Sequence, residues 1–384
     1  MGTLGRWFVF LTLFLCIYGS AHFYVLIKVR RALYLEGVGY VFLLVVLAFL
    51  MFAPIQARIL SAQGYPYFAL LMSWIGYVWM GFIFLLICLF IPIDLYHLAI
   101  NGLRWLFDTD WTDWLLSRRQ GLAIAGFGAL ALMIYGAVAA YYVRVEHLTL
   151  SSDKIPASIE RIRIAQISDL HLGPMLYPGR LDPLLAALRK AQPDILVSTG
   201  DLIDGPIGDE EEIASTLKSL PAPMGKFAVT GNHEYYVGLE HATRFTQAAG
   251  FQMLNAQSVL VNNLVTIAGI EDAAGQTHGQ NGEAALIGSL SADKFTVLLK
   301  HRPVVSDSAK GRIDLQLSGH THQGQIFPFV FLIKIFYPVA EGLTPLGKDG
   351  HLYLSRGTGT WGPPVRVWAP PEVTIIDLVP AKGK

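Results

Sequence analysis

Cysteine is nearly absent from this 384-residue chain: there are two, Cys16 and Cys88, both inside apolar runs. That excludes a disulfide framework and a thiolate-based metal site, and it leaves the redox compartment of the cysteine-free second half open. Charge is scarce as well, at 15% of residues against 53% hydrophobic, with a mean hydropathy of +0.44. Neither sign is in excess, since 29 basic residues face 29 acidic ones. Nucleic-acid binding calls for a basic surface, so no nucleic-acid partner is expected.

The scarcity is uneven. Residues 1–143 hold only eight of the Lys/Arg and five of the Asp/Glu residues. They hold instead four apolar runs, at about 7–27, 37–55, 67–91 and 122–143, each near the roughly 20 residues that cross a bilayer. Inside lipid every backbone polar group must be paired within its own segment, so the runs read as membrane helices. Trp7, Tyr67, Tyr141 and Tyr142 stand near run ends, as interfacial anchors do. The last run is rich in small residues, which lets neighbouring helices approach closely. Arg6 followed by an apolar stretch reaching Gly19, Ser20 and Ala21 also has the form of a cleaved signal peptide, although the run continues to Ile27. Residues 95–121, with Trp105, Trp111 and Trp114 among leucines, read either as a helix in the headgroup layer or as a solvated connector. Four spans put the N-terminus and the second half on one side. Lys28, Arg30, Arg31, Arg104, Arg118 and Arg119 lie opposite, against Arg6, Arg58, Arg144 and Lys154 on the shared side. The positive-inside rule then places the second half outside the cytoplasm.

From Arg144 the pattern becomes α/β. The segments "RIRIAQISDLHLG", "DILVSTGDLID", "KFAVTGNHEYY", "FTVLLKHRP" and "IDLQLSGHTHQGQ" repeat one design, a short β-rich run ending in Gly, Asp, Asn or His. Helical stretches such as "LDPLLAALRKA" and "EEEIASTLKSL" lie between them. In such sheets ligands gather at the carboxyl ends of the strands, so polar residues there converge in space. They are Asp169 and His171, Asp201 and Asp204, Asn232 and His233, His301, and His320 with His322. Each alone has an ordinary reading as a cap, a turn residue or a strand-end histidine. Five turns carrying metal-compatible side chains at one sheet edge do not. Imidazoles, carboxylates and one amide without thiols suit zinc, manganese or iron. His320 and His322 are spaced so that each can face a different ion. His22, His97, His147, His241, His278 and His351 have no partnered spacing and read as structural or exposed.

The ordered blocks "DLH", "GDLID", "GNHE", "KH" and "GHTH" resemble the calcineurin-like metallophosphoesterase superfamily, whose pattern is D-x-H, G-D-x-x-D, G-N-H-[DE], H and G-H-x-H. The flanking "IAQISDLHLG" and "LYLSRGTGTWGPPVRVWAPPEVTIIDL" look like its membrane-associated branch, which holds the YkuE- and YaeI-type proteins and the vertebrate transmembrane protein with metallophosphoesterase domain. The resemblance covers about residues 144–380. It implies a four-layer α/β/β/α sandwich in residues 144–384, which the four apolar runs precede as a four-helix transmembrane region in residues 1–143. It also implies two divalent metal ions, manganese, zinc or iron. By motif, Asp169, His171 and His322 would hold the first, Asn232, His301 and His320 the second, and Asp201 would bridge them. A shared hydroxide of lowered pKa would attack phosphorus in line. His233 would serve the transition state or the leaving oxygen without binding metal, oriented by Asp204. The branch usually has glycine directly after the last motif histidine, where this chain has Gln323, and that puts the shape of this loop in question.

A membrane-anchored phosphoesterase of this kind implies a lipid-linked or envelope substrate, brought close by the shared bilayer. Relatives in the branch imply UDP-diacylglucosamine pyrophosphate cleavage as one candidate, and phospholipids or polymer phosphodiesters are others. The expected setting is a multi-pass bacterial inner-membrane protein in contact with membrane lipids. The apolar run Ile326–Val339, too short to span, either borders the site and meets acyl chains or the interface, or forms a buried element of the core. Arg356 and Arg366 would clamp a phosphate or lie at the surface. A membrane scaffold or transport component with a metal-binding but catalytically weak phosphoesterase domain is the alternative function.

Overall fold

The computed structural model describes residues 3–175, 179–275, 279–339, 341–347 and 350–381; His278 lies outside them, as does the side chain of Trp7. The chain forms two compact units, one within residues 1–137 and one covering 138–361 and 365–384.

The first unit is built on α1 (Thr3–Leu33), α2 (Gly37–Ala62), α3 (Pro66–Phe107) and α4 (Arg118–Tyr141), with a 3-10 turn at Thr112–Trp114. All four are long and apolar enough to cross a membrane. Helices α2 and α3 meet closely at Pro54, where a Cβ on Gly76 would lie 2.8 Å from the proline ring. Polar side chains within the bundle are paired. Trp79 donates to His22 Nε2 at 2.8 Å, so Nδ1 carries the proton that goes to Tyr18 O at 2.7 Å. Asp94 accepts from Tyr24 at 2.6 Å and from Lys28. Residues 95–107 prove to be neither a separate headgroup helix nor a connector. Neither Pro92 nor Gly102 ends α3, which continues for 42 residues until Asp108 turns left-handed with φ 47°. At 1.5 Å per residue that is about 63 Å, roughly twice the hydrocarbon thickness.

The second unit contains β1 (Arg144–Ser152), β2 (Ile162–Ile167), α5 (Asp182–Ala191), β3 (Ile195–Ser198), α6 (Glu210–Lys218), β4 (Lys226–Ala228), α7 (His233–Val237), α8 (Leu239–Ala248), β5 (Gln252–Met253), β6 (Gln257–Val261), β7 (Val265–Ile270), α9 (Gly279–Ser289), β8 (Phe295–Lys300), β9 (Leu315–Ser318), α10 (Val330–Phe336), β10 (Gly342–Leu346), β11 (Gly350–Leu354) and β12 (Glu372–Pro380). Two mixed six-stranded sheets result, ordered β1-β12-β2-β3-β4-β5 and β10-β11-β9-β8-β7-β6. Strands β2 to β5 run parallel, as do β7, β8, β9 and β11.

Period-two alternation builds the layers. Ile162 and Ile164 of β2, Ile195 and Val197 of β3, Val297 and Leu299 of β8 and Leu315 and Leu317 of β9 form one core between the sheets. The intervening Ala165, Ile167 and Leu196 face α5, α6 and α8 through Leu184, Leu188, Leu217 and Phe245. Ala268 and Leu298 face α9 through Leu286 and Ile287. The result is a four-layer α/β/β/α sandwich. Helix α10 belongs to none of these layers. It has no buried residue, and of the run Ile326–Val339 only Ile326 is buried, so the run is neither a strand nor a helix of the core.

Candidate metal centre

The nine polar residues singled out at strand ends all lie just beyond the carboxyl ends of β2, β3, β4, β8 and β9, with His233 as the first residue of α7. The loops after β2 and β3 run paired through Asp169 N to Gly200 O and His171 N to Asp201 O, both 3.0 Å, and Asp204 N to Leu172 O, 2.7 Å. Asp169, His171, Asp201, His320 and His322 all adopt left-handed φ, between 49° and 76°. Each such residue costs about 1–3 kcal/mol, a strain that clusters at functional sites, and Asp and His tolerate the region better than most. Two glycines permit the close approach. A Cβ on Gly231 would collide with the Asp201 carboxylate, and one on Gly319 with Ser168 and Asp169.

Two groups of donors result. Asp169, His171 and His322 each offer an atom within 4.8 Å of the others, and so do Asp201, His301 and His320. In the first, His171 Nε2 is 3.0 Å from His322 Nε2, and His322 Nε2 is 3.5 Å from Asp169 Oδ1. In the second, His301 Nε2 lies 3.0 Å from His320 Nδ1, 3.3 Å from Asn232 Oδ1 and 3.2 Å from Asp201 Oδ2. Asp201 Oδ2 is also 3.8 Å from His171 Nε2, so one carboxylate faces both groups. Ligands about 2.0–2.2 Å from a zinc-like ion stand roughly 3.0–3.6 Å apart. These spacings therefore fit one divalent ion in each group. His301 Nδ1 is spent on Thr199 O at 2.9 Å, so Nε2 is the nitrogen whose proton a cation would displace.

The local field points the same way. Burial, then the neighbouring Asp201 charge, pushes Asp169 up to about 6. Burial also opposes ionisation of Asp201, but the His301 charge holds it well below the usual carboxylate range. Burial lowers His301, yet Asp201 and Asp169 outweigh it and push that imidazole up to about 10. His171 and His320, chiefly through burial, fall to about 4 and about 3. Burial thus keeps His171 and His320 neutral, as ligands must be, while the charge that Asp201 and Asp169 draw onto His301 stands where a cation's charge would replace it.

His233 also comes within ligand range of His171 and Asp201. Its Nδ1 is taken by a short hydrogen bond to Asp204 Oδ1, and its N–H donates to Asp201 Oδ1 at 2.8 Å. Burial disfavours its charge, but Asp204 more than offsets this and holds its pKa above the ordinary value. Trp361 and Tyr236 pack edge-on against its ring at 5.6 and 5.1 Å.

Two residues outside the expected ligand set hold the loops. Glu234 is buried and accepts from the backbone of Gly231 and Leu202, both 2.7 Å, and of Asp201, 3.1 Å. It thereby locks the β3 and β4 loops together. Arg366 is wholly buried, neither a phosphate clamp nor a surface residue. It donates to the carbonyls of Gly359, His322, Arg356 and Ala369, and its Nη2 lies 3.1 Å from His322 Nδ1, which leaves Nε2 toward His171. A single basic residue inside the apolar, proline-rich "WGPPVRVWAPPE" was the available signal. Arg356 is likewise engaged, with Glu146 and with Glu372 at 2.6 Å. Of the remaining histidines, His241 pairs with Glu210 at 3.0 Å.

Residues 162–324 match the family model described as calcineurin-like phosphoesterase. An uncharacterized metallophosphoesterase of Aquifex aeolicus is 37% identical over 67% of this chain and 99% of its own length. The uncharacterized metallophosphoesterase YkuE of Bacillus subtilis is 33% identical over 68% of this chain and 98% of its own. The transmembrane protein with metallophosphoesterase domain of Danio rerio is 30% identical over 64% of this chain and 60% of its own.

Proposed function

The chain belongs to the calcineurin-like phosphoesterase family, and on that premise we propose that it is a membrane-anchored hydrolase that cleaves a phosphodiester or pyrophosphate bond in a lipid-linked or envelope substrate. The observation that carries the reading is Asp201, one carboxylate facing two donor groups of the right chemistry and spacing. Asp169, His171 and His322 would hold one cation, and Asn232, His301 and His320 the other, with Asp201 shared. Manganese, zinc and iron all suit this donor set. Bound there, two cations would supply a water of near-neutral pKa and neutralise phosphoryl oxygens. His233, held charged by Asp204, is placed to donate to a phosphoryl or leaving oxygen. Glu234 and Arg366 keep the ligand loops in register.

Metal analysis combined with hydrolysis of bis-para-nitrophenyl phosphate tests the reading. Purified protein loaded with manganese should carry two ions per chain and turn the ester over, and Asp201→Asn should lose both. Two ions without turnover under manganese, zinc or iron would favour a membrane scaffold whose domain only binds metal.

For the substrate, the candidates are phospholipids and nucleotide-linked lipids such as UDP-diacylglucosamine. The distribution of Lys and Arg around the four spans supports a non-cytoplasmic domain in a bacterial inner membrane. A domain so placed meets phospholipids rather than cytoplasmic nucleotide-linked precursors. Alkaline phosphatase and green fluorescent protein fused after Lys384 separate the two cases: only a non-cytoplasmic terminus activates the phosphatase.

A further inference from the structure

Helix α10 is apolar nearly all round and has no fully buried residue, with only Val330 and Ile333 half-buried. Its sequence, VFLIKIF, has one charge, Lys334. Phe331, Leu332, Ile335 and Phe336 are 60%, 44%, 74% and 71% exposed. A helix apolar all round belongs in a core or in lipid, and this one is in no core. Contiguous apolar surface of this kind marks contact with another apolar phase.

The patch is anchored and reaches the metal centre. Phe327 N donates to Val367 O, and Val367 N to Gln325 O, both at 3.0 Å, which ties the approach to α10 to the segment bearing Trp368. The Trp368 ring packs edge-on against Phe327 at 5.0 Å, and Phe327 against Phe331 at 5.5 Å. The Gln325 amide bonds the Trp361 backbone twice, both at 2.9 Å, and the Trp361 ring meets His233. Just beyond α10, Tyr337 lies 5.7 Å from His320. An exposed apolar surface thus runs up to the proposed catalytic side chains.

We propose that residues 327–336, with Trp361 and Trp368, rest in the interfacial layer of the lipid bilayer and present acyl-bearing phosphoesters to the metal centre. The occupant follows from the chain itself. It carries four helices of membrane-spanning length and composition, and only Tyr142 and Val143 separate α4 from β1. Aromatic rings with a single lysine, whose stem can lie in apolar surroundings while its head stays wet, make an interfacial composition. Seven helical residues span about 10 Å, enough to lie in the interface and too few to cross. The presentation half rests on the phosphoesterase reading above; the lipid contact does not.

The test uses the full chain in phospholipid nanodiscs. Cys16 and Cys88 are replaced by alanine, and Ile335→Cys carries a bimane probe. Lys310→Cys, on an exposed loop residue, is the control. Brominated acyl chains should quench the Ile335 probe, and aqueous iodide should not; the control should behave in reverse. Quenching by iodide overturns the lipid contact, and so does shielding from both quenchers, which would mean that protein covers the patch. Separately, Phe331→Ser combined with Ile335→Ser should lose about tenfold or more on vesicle-borne dioleoyl phosphatidyl para-nitrophenol, the order of a removed local-concentration effect. Turnover of soluble bis-para-nitrophenyl phosphate should be kept. Equal loss on both esters makes the patch structural and overturns presentation. If the unsubstituted protein hydrolyses neither ester, the phosphoesterase reading fails and presentation with it, while the quenching result still decides the lipid contact.

Discussion

Among the residues of the centre, His233 stands apart because its environment is built for charge rather than for a metal. The Asp204 carboxylate occupies Nδ1, and against burial Asp204, Asp201 and Glu234 together raise the pKa of the ring above its ordinary value. His233→Ala should therefore lower turnover by 100-fold or more, within the usual range for a lost general acid or charge stabiliser, while the metal content stays at that of the unsubstituted protein. Loss of both ions in that variant would make His233 a ligand. Gln323 poses a backbone question instead. It follows His322 with φ 51°, a left-handed conformation costing an L-residue about 1–2 kcal/mol. Glycine removes that cost but loses roughly 0.5–1 kcal/mol in chain entropy. Gln323→Gly should thus leave stability equal or raise it by up to about 1 kcal/mol, read from thermal unfolding. A loss of more than about 1 kcal/mol would mean that the glutamine side chain itself supports the loop.

At the scale of elements, strand pairing sets where the loops emerge, and β2 against β12 is the pairing that joins the chain's end to its first motif. Arg163 and Asp377 sit directly opposite in that register and form a two-pronged ion pair, both contacts 2.7 Å. The Arg163 bond holds the Asp377 carboxyl below its ordinary 3.8. A carboxyl depressed in the folded state stabilises the fold above its unfolded pKa, and the contribution disappears as pH falls through the lower folded value. Because both partners are partly exposed, it is worth about 1 kcal/mol or less. Asp377→Asn should be less stable by that amount at pH 7 and converge with the unsubstituted protein in acid, below about pH 3.9. A difference that persisted unchanged into acid would mean that the amide disturbs packing rather than removing a charge.

The motif blocks at the ends of β2, β3, β4, β8 and β9 were legible because each ligand lies within a few residues of an apolar run with strand periodicity. What escaped depends on contacts across distance. Arg366 acts on His322 from 44 residues away, and its locally apolar context says nothing of four waiting carbonyls. Likewise the continuation of α3 through Phe107 was hidden by Pro92, which ends many helices but here sits within one. The run at α10 could not be assigned from its composition, since a core and a lipid interface ask for the same side chains.

For the whole molecule, the division at residue 137 raises the question of what the membrane helices do for the domain. Among the described residues every strand begins at or after Arg144, and the core between the sheets is made by residues between Leu148 and Leu378. The relative from Aquifex aeolicus matches over 99% of its own length and 67% of this chain. A fragment of residues 144–384 should therefore fold, bind two metal ions and hydrolyse bis-para-nitrophenyl phosphate within a few-fold of the full chain. It should still not behave as a free soluble enzyme, because α10 goes with it. Sedimentation with phospholipid vesicles should pull the fragment down, and Phe331→Ser with Ile335→Ser should leave it in the supernatant with its circular dichroism unchanged. A fragment that fails to fold would make the four helices part of the domain's core, whereas one that folds but ignores vesicles would leave those helices as its sole hold on lipid.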